Sequence, residues 1–179
     1  MKSLKALGVV ATAIATVAFG SGTANAVGVE SRIVNAYSGL CVIVSLPSGN
    51  GAPVKQFPCD SINTSQVWQF IPTRDNDGRR AFFLKNTGTN KCMGMGSKLR
   101  DGAKVIQWDC NGEVDEKFWV YSSGVIRSVY SGKCLGVGSS MAWEKQLIQW
   151  PCNSNSTDQF WGYADPYDTP ITDLPALPE

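Results

Sequence analysis

Three cysteine pairs share one spacing, and that spacing restricts the chain to a small set of folds. Cys41 and Cys59, Cys92 and Cys110, and Cys134 and Cys152 each lie 18 residues apart. A tryptophan stands nine residues after the second cysteine of every pair: Trp68, Trp119 and Trp161. A ruler used three times marks an internal repeat of one supersecondary unit, which cannot bury its own apolar face. Three such units must share a core.

The flanking residues repeat as well. Tyr37-Ser38-Gly39-Leu40, Gly88-Thr89-Asn90-Lys91 and Tyr130-Ser131-Gly132-Lys133 precede the first cysteines. Lys55-Gln56-Phe57-Pro58, Ile106-Gln107-Trp108-Asp109 and Ile148-Gln149-Trp150-Pro151 precede the second. The copies run over about 29–72, 81–122 and 124–163. The longer first period is absorbed by the polar stretch from Thr73 to Arg80, with an Asp77-Gly78 turn.

Lys2 and Lys5, an apolar run from Ala6 to Phe19 and the closing Ala24-Asn25-Ala26 read as a secretory signal peptide over residues 1–26. A membrane span needs about 20 apolar residues, and Gly8, Thr12 and Thr16 dilute this run. The whole chain carries 16 basic and 15 acidic residues, a net charge of +1. Losing the two leader lysines makes that −1, so no basic excess is left for nucleic acid or an anionic membrane. No membrane insertion is expected, and the protein is read as extracellular.

In an exported chain, six cysteines form a disulfide framework. The repeat favours Cys41–Cys59, Cys92–Cys110 and Cys134–Cys152 among the possible pairings. Each 18-residue loop closed this way stabilises the fold by about 3 kcal/mol on chain-entropy grounds. A metal site is not expected, since there is no Cys-x-x-Cys and no histidine. No cofactor is expected either.

Short segments such as Ser31–Asn35, Ala81–Lys85 and Val125–Val129 are rich in β-branched or aromatic residues and bounded by turn signals. That pattern predicts an all-β barrel or sandwich over residues 27–163, with closure around a pseudo-threefold axis. From Ala164 to Glu179 the chain turns proline-rich and acidic, which reads as a flexible tail.

The residues Gly132 to Val137, Ile148 to Asn153 and Asp158 to Trp161 resemble the repeats of ricin B-type (R-type) lectin domains, also called family 13 carbohydrate-binding modules. The resemblance recurs three times and covers nearly all of the chain after the leader. It implies a β-trefoil of three pseudo-symmetric repeats, each with an internal disulfide, and it agrees with the pairing above. It also implies that the tryptophans of the Gln-x-Trp (QxW) motif, taken as Trp68, Trp119 and Trp161, are core residues.

The same resemblance implies where a sugar would sit. The family places a carboxylate two residues after the first cysteine, where this chain has Ile43, Gly94 and Gly136. Its stacking aromatic, two residues before the second cysteine, corresponds to Phe57, Trp108 and Trp150. Its asparagine, three residues before the core tryptophan, corresponds to Ser65, Glu116 and Asp158. The candidate carbohydrate-binding residues are Trp150, Asp158, Gln159, Gln149, Asn153 and Gly136 in the third copy, then Trp108, Gln107 and Asn111 in the second. With no carboxylate after the first cysteine, restoring one by Gly136→Asp is expected to strengthen binding.

Two points stay open. Strand alternation puts Trp108 and Trp150 on the inward side with the cysteines, whereas their place at a strand end permits exposure. The recurring glutamines serve either a ligand or the backbone. An enzyme is not expected, because there is no histidine for a general base and all six cysteines are committed. The acidic residues Asp109, Glu113, Asp115 and Glu116 read as a solvated loop. The expected function is a secreted, non-catalytic carbohydrate-binding protein. The alternative is a secreted trefoil that contacts a protein partner, as a toxin accessory subunit or an inhibitor, with degenerate sugar sites.

Overall fold

The short β-branched runs become strands because each has one face to bury and a turn at either end. A computed structural model describes residues 28–45 and 48–166. The leader at 1–26 and the tail beyond Pro166 lie outside the described residues. Each copy supplies four strands. The first holds β1 (Val29–Asn35), β2 (Cys41–Val44), β3 (Val54–Phe57) and β4 (Val67–Arg74). The second holds β5 (Arg80–Asn86), β6 (Cys92–Gly94), β7 (Ile106–Trp108) and β8 (Lys117–Val120). The third holds β9 (Ile126–Ser128), β10 (Cys134–Gly136), β11 (Ile148–Trp150) and β12 (Trp161–Ala164).

The first and last strands of each copy make a barrel. β1 pairs β4, β4 pairs β5, β5 pairs β8, β8 pairs β9, and β12 returns to β1. A bridge between Val125 and Phe160 completes the ring. The middle strands form three hairpins, β2–β3, β6–β7 and β10–β11.

The hairpins lock together around the threefold axis through their backbones. Val54 N–H donates to Val105 C=O at 3.1 Å, Val105 to Leu147 at 2.9 Å, and Leu147 back to Val54 at 2.9 Å. Side chains from equivalent positions fill the space inside: Val42, Met93 and Leu135; Val44, Met95 and Val137; Ile33, Leu84 and Ile126. All are almost fully buried. Every copy adds its own staple, with Cα–Cα separations of 5.0 Å in the pairs Cys41–Cys59, Cys92–Cys110 and Cys134–Cys152.

One core assignment needs correcting. Trp68 and Trp161 are buried, and their indole N–H groups donate to Val42 C=O and Leu135 C=O. The second copy puts Phe118, wholly buried, in that place, and Trp119 points outward. The loop from Cys110 to the core aromatic is one residue shorter than its counterparts, so the nine-residue ruler lands on the next residue. Trp119 instead donates to Asp75 at 3.0 Å and lies between the guanidinium groups of Arg79 and Arg127, 4.7 and 5.5 Å from the ring. The Asp75 carboxyl is pushed up by burial but more strongly held down by hydrogen bonds from the Arg79 backbone, Trp119 and the Arg79 side chain.

The chain keeps its order into the start of the proline-rich segment. Ala164 pairs with Arg32 in the sheet, and the Arg32 guanidinium donates to the carbonyls of Ser61, Asp165 and Pro166.

Candidate functional site

The register correction moves one carboxylate. Counting back from Phe118, the position matching Asp158 is Asp115, and Glu116 matches Gln66 and Gln159. The hydrogen bonds agree. Gln66 and Gln159 each accept from the residue after the second cysteine, Asp60 N–H at 2.8 Å and Asn153 N–H at 2.9 Å. Glu116 does the same with Asn111 N–H at 3.0 Å, and also takes Gly112 N–H at 3.1 Å.

Two copies then present the same arrangement. In the second, Asp115 Oδ2 accepts from Ser97 N–H at 2.9 Å; in the third, Asp158 Oδ2 accepts from Ser139 N–H at 3.1 Å. Both serines sit at positive φ, 55° and 53°, so that the loop turns its N–H toward the carboxylate. Each aspartate lies beside a glycine of the hairpin, Gly94 or Gly136. A Cβ at Gly136 would come within 3.0 Å of Asp158 Oδ2, whereas one at Gly94 would meet nothing closer than 3.6 Å.

The tryptophans settle as open platforms. Trp108 and Trp150 are 45% and 48% exposed. Each packs its six-membered ring against a glycine of the preceding copy, Gly51 or Gly102, both in the left-handed backbone region. A Cβ at Gly102 would press on the Trp150 ring at 3.2 Å, whereas one at Gly51 would only touch Trp108 at 3.7 Å. One part of each ring is supported and the rest stays open to solvent. In the second copy the surrounding cleft has a volume of about 440 Å³ and includes Gly94, Ser97, Lys98, Trp108, Asn111 and Asp115.

The recurring glutamines do different work. Gln149 is fully buried; its Nε2 donates to Lys98 C=O and Arg100 C=O, and its Oε1 accepts from Ser131. Gln107 repeats this with Ser48, Gly49 and Thr89, and Gln56 with Ser140, Ala142 and Ser38. Each glutamine clamps a neighbouring loop, next to Trp108, Trp150 or, in the first copy, Phe57, with no hydrogen-bonding atom left over for a ligand. Gln159 is likewise committed, to Asn153 N–H and Pro151 C=O. Asn111, which lines the second-copy cleft, and its third-copy counterpart Asn153 are exposed, each folding its Oδ1 back on the loop backbone.

The first copy lacks the apparatus. Ile43 occupies the glycine position, Ser65 the aspartate position, and Phe57 is half-buried against Trp143, ring centroids 5.8 Å apart. Sequence reasoning missed Asp115, Ser97 and Ser139. Asp115 had a visible signal, since Glu116 is the nearest relative of the glutamine that stands two residues before Trp68 and Trp161. The serines act through their backbones and left no residue-type signal.

The local electrostatics are mostly carboxylate. Asp109 is held below its ordinary value, first by its hydrogen bond from Lys91 and then by Asn50, an exposed tie between copies. Glu116 is pushed up by burial, against the pull of the Asn111 and Gly112 N–H groups, and the charges of Asp115 and Glu113 push it further.

A six-stranded barrel with three interlocked hairpins about a pseudo-threefold axis is a β-trefoil. The chain belongs to the ricin-type beta-trefoil lectin domain family, whose description matches residues 29–161. ThreeFoil, a designed threefold-symmetric protein, superposes with a TM-score of 0.68 at 23% identity, over 76% of this chain and 98% of its own. The Rhizoctonia solani agglutinin gives 0.63 at 16%, over 77% and 95%. The Polyporus squamosus lectin, bound to Neu5Aca2-6Galb1-4GlcNAc, gives 0.62 at 18%, over 76% of this chain and 48% of its own. At these identities the likenesses establish the fold. No curated protein matches the chain in sequence at a significant level.

Proposed function

We propose that this protein is a secreted, non-catalytic lectin that holds sugars in two pockets, one centred on Trp108 and Asp115 and one on Trp150 and Asp158. The observation that carries this reading is the duplication itself. A half-exposed indole and an aspartate fixed by a backbone N–H recur in the same relation in two copies whose intervening sequence differs. Sugar rings stack their C–H faces on indole, and a carboxylate accepts their hydroxyls in charge-assisted hydrogen bonds, which are roughly twice as strong as neutral ones. In each pocket Oδ2 is taken by the serine N–H, leaving Oδ1 for the ligand. Asn111 and Asn153 supply amide N–H donors at the rims.

The absence of histidine and the pairing of all six cysteines support a binding rather than a catalytic role. Three disulfides suit an oxidising compartment and support the reading of residues 1–26 as an export signal. No helix among the described residues is long and apolar enough to cross a membrane. A second reading, protein contact, draws on exposed apolar side chains: Ile62 in the first copy, 88% exposed, and Met141 and Trp143 in the third-copy loop that sets Trp143 against Phe57, 62% and 67% exposed.

A glycan array followed by calorimetry tests the reading. The epitope held by the Polyporus lectin makes N-acetyllactosamine a sensible first probe. The expected result is saccharide binding that weakens at least about tenfold, about 1.4 kcal/mol, at whichever pocket loses its tryptophan. A folded protein that binds nothing on the array, yet captures a protein partner through Trp143, would replace the lectin reading with the second one.

A further inference from the structure

Glu116 breaks the threefold pattern at the base of one pocket. In the first and third copies this position is an amide whose Nε2 donates to the carbonyl before the second cysteine, Gln66 to Pro58 at 2.7 Å and Gln159 to Pro151 at 3.1 Å. The corresponding carbonyl in the second copy belongs to Asp109. Glu116 is only 2% exposed, one oxygen takes the Asn111 and Gly112 N–H groups, and the other, Oε1, is buried without a hydrogen-bond partner. A carboxylate has no hydrogen to offer a carbonyl; a neutral acid O–H does. Buried polar atoms left unpaired are rare and costly.

We propose that Glu116 is a proton-sensitive positioning residue: as the neutral acid it donates where the other copies use an amide, holding the loop that carries Asp115 into the second pocket. Ligand affinity at that pocket, and at that pocket alone, declines as the pH rises and Glu116 ionises. This rests on the lectin reading for its ligand, but not for the proton. The charged groups around Glu116 favour the neutral form. Asp115 and Glu113 flank it on its own turn, and Asp109, on the loop after β7, is already neutralised by Lys91. β6 brings no titrating group, since Cys92 is in a disulfide, and the only cation lining the cleft is Lys98. At the third pocket Gln159 does not titrate, which makes it an internal control.

The test uses the mature chain and Glu116→Gln, which installs the side chain already native at positions 66 and 159. Backbone amide NMR is followed from pH 4 to 8. The amides of Asn111 and Gly112 should shift together with a midpoint above the ordinary glutamate value of about 4.3; that step should vanish in Glu116→Gln and be absent at Asn153. Calorimetry with N-acetyllactosamine then isolates each pocket. Trp150→Ala, which leaves the second pocket, should lose affinity several-fold from pH 5 to 8, and adding Glu116→Gln should flatten the profile. Trp108→Ala, which leaves the third, should stay flat. A midpoint at or below about 4.3 would overturn the proposal while leaving the lectin reading intact. So would a pH-dependent affinity that survives Glu116→Gln. Loss of sugar binding in every protein would overturn the affinity half together with the lectin reading.

Discussion

Adjacent residues 118 and 119 show how much a single position decides. Phe118 is sealed inside the barrel, whereas Trp119 lies on its outer wall between two arginines. Truncating a buried large aromatic costs about 3–5 kcal/mol, so Phe118→Ala and Trp161→Ala should each lower stability by that order in chemical denaturation. Trp119→Ala removes a surface stack and one hydrogen bond, and should cost about 1–2 kcal/mol. Equal losses at 118 and 119 would contradict the register. Glu116 adds a pH dependence with a definite sign. Its carboxyl is raised above 4.5 in the folded state, by burial first. The folded protein therefore binds that proton more tightly than the unfolded chain. Its stabilisation is complete below about 4.5 and is lost as the pH rises through the folded value. Thermal melts of the wild type should fall relative to Glu116→Gln as the pH goes from 4.5 to 8; parallel curves would argue against it.

At the scale of elements, the hairpins and the loops they carry explain where the carboxylates went. The family position after the first cysteine is empty in the second and third copies, yet the same region is filled from the opposite side by Asp115 and Asp158. The expectation that Gly136→Asp strengthens binding therefore reverses. Its Cβ would stand 3.0 Å from Asp158 Oδ2, and a second carboxylate there would repel the first. Calorimetry on Gly136→Asp should show weaker binding at the third pocket, with Gly94→Asp less affected because its surroundings are roomier. Strands were legible wherever β-branched or aromatic residues clustered, as in Ser31–Asn35 and Ala81–Lys85. The one-residue deletion after Cys110 was not. Tryptophan next to phenylalanine let the ruler fit one residue late; the lysine two residues before Trp119, where the other copies have glutamine, and Glu116 two residues before Phe118 marked the slip.

Across the whole molecule, the threefold repeat governs the fold, and its breaks set the proposed sites apart. The three cysteine pairs, the closed barrel and the shared core were legible because covalent spacing and turn residues repeat in plain view. The setting of Trp108 and Trp150 was not, because each indole packs against a glycine, at 51 or 102, contributed by the preceding copy. The roles of Gln107 and Gln149 were hidden for the same reason: each clamps a loop far away in sequence. Symmetry then predicts function by subtraction. Two copies keep an indole and a carboxylate, while the first has traded both for Ile43, Ser65 and a half-covered Phe57. The central claim is thus a count of sites, and isothermal titration with N-acetyllactosamine, or the best saccharide from an array, measures it directly. The account predicts two sites per chain in the wild type, one in Trp108→Ala, one in Trp150→Ala and none in the folded double variant. A single site, three sites, or a stoichiometry untouched by either tryptophan would contradict it.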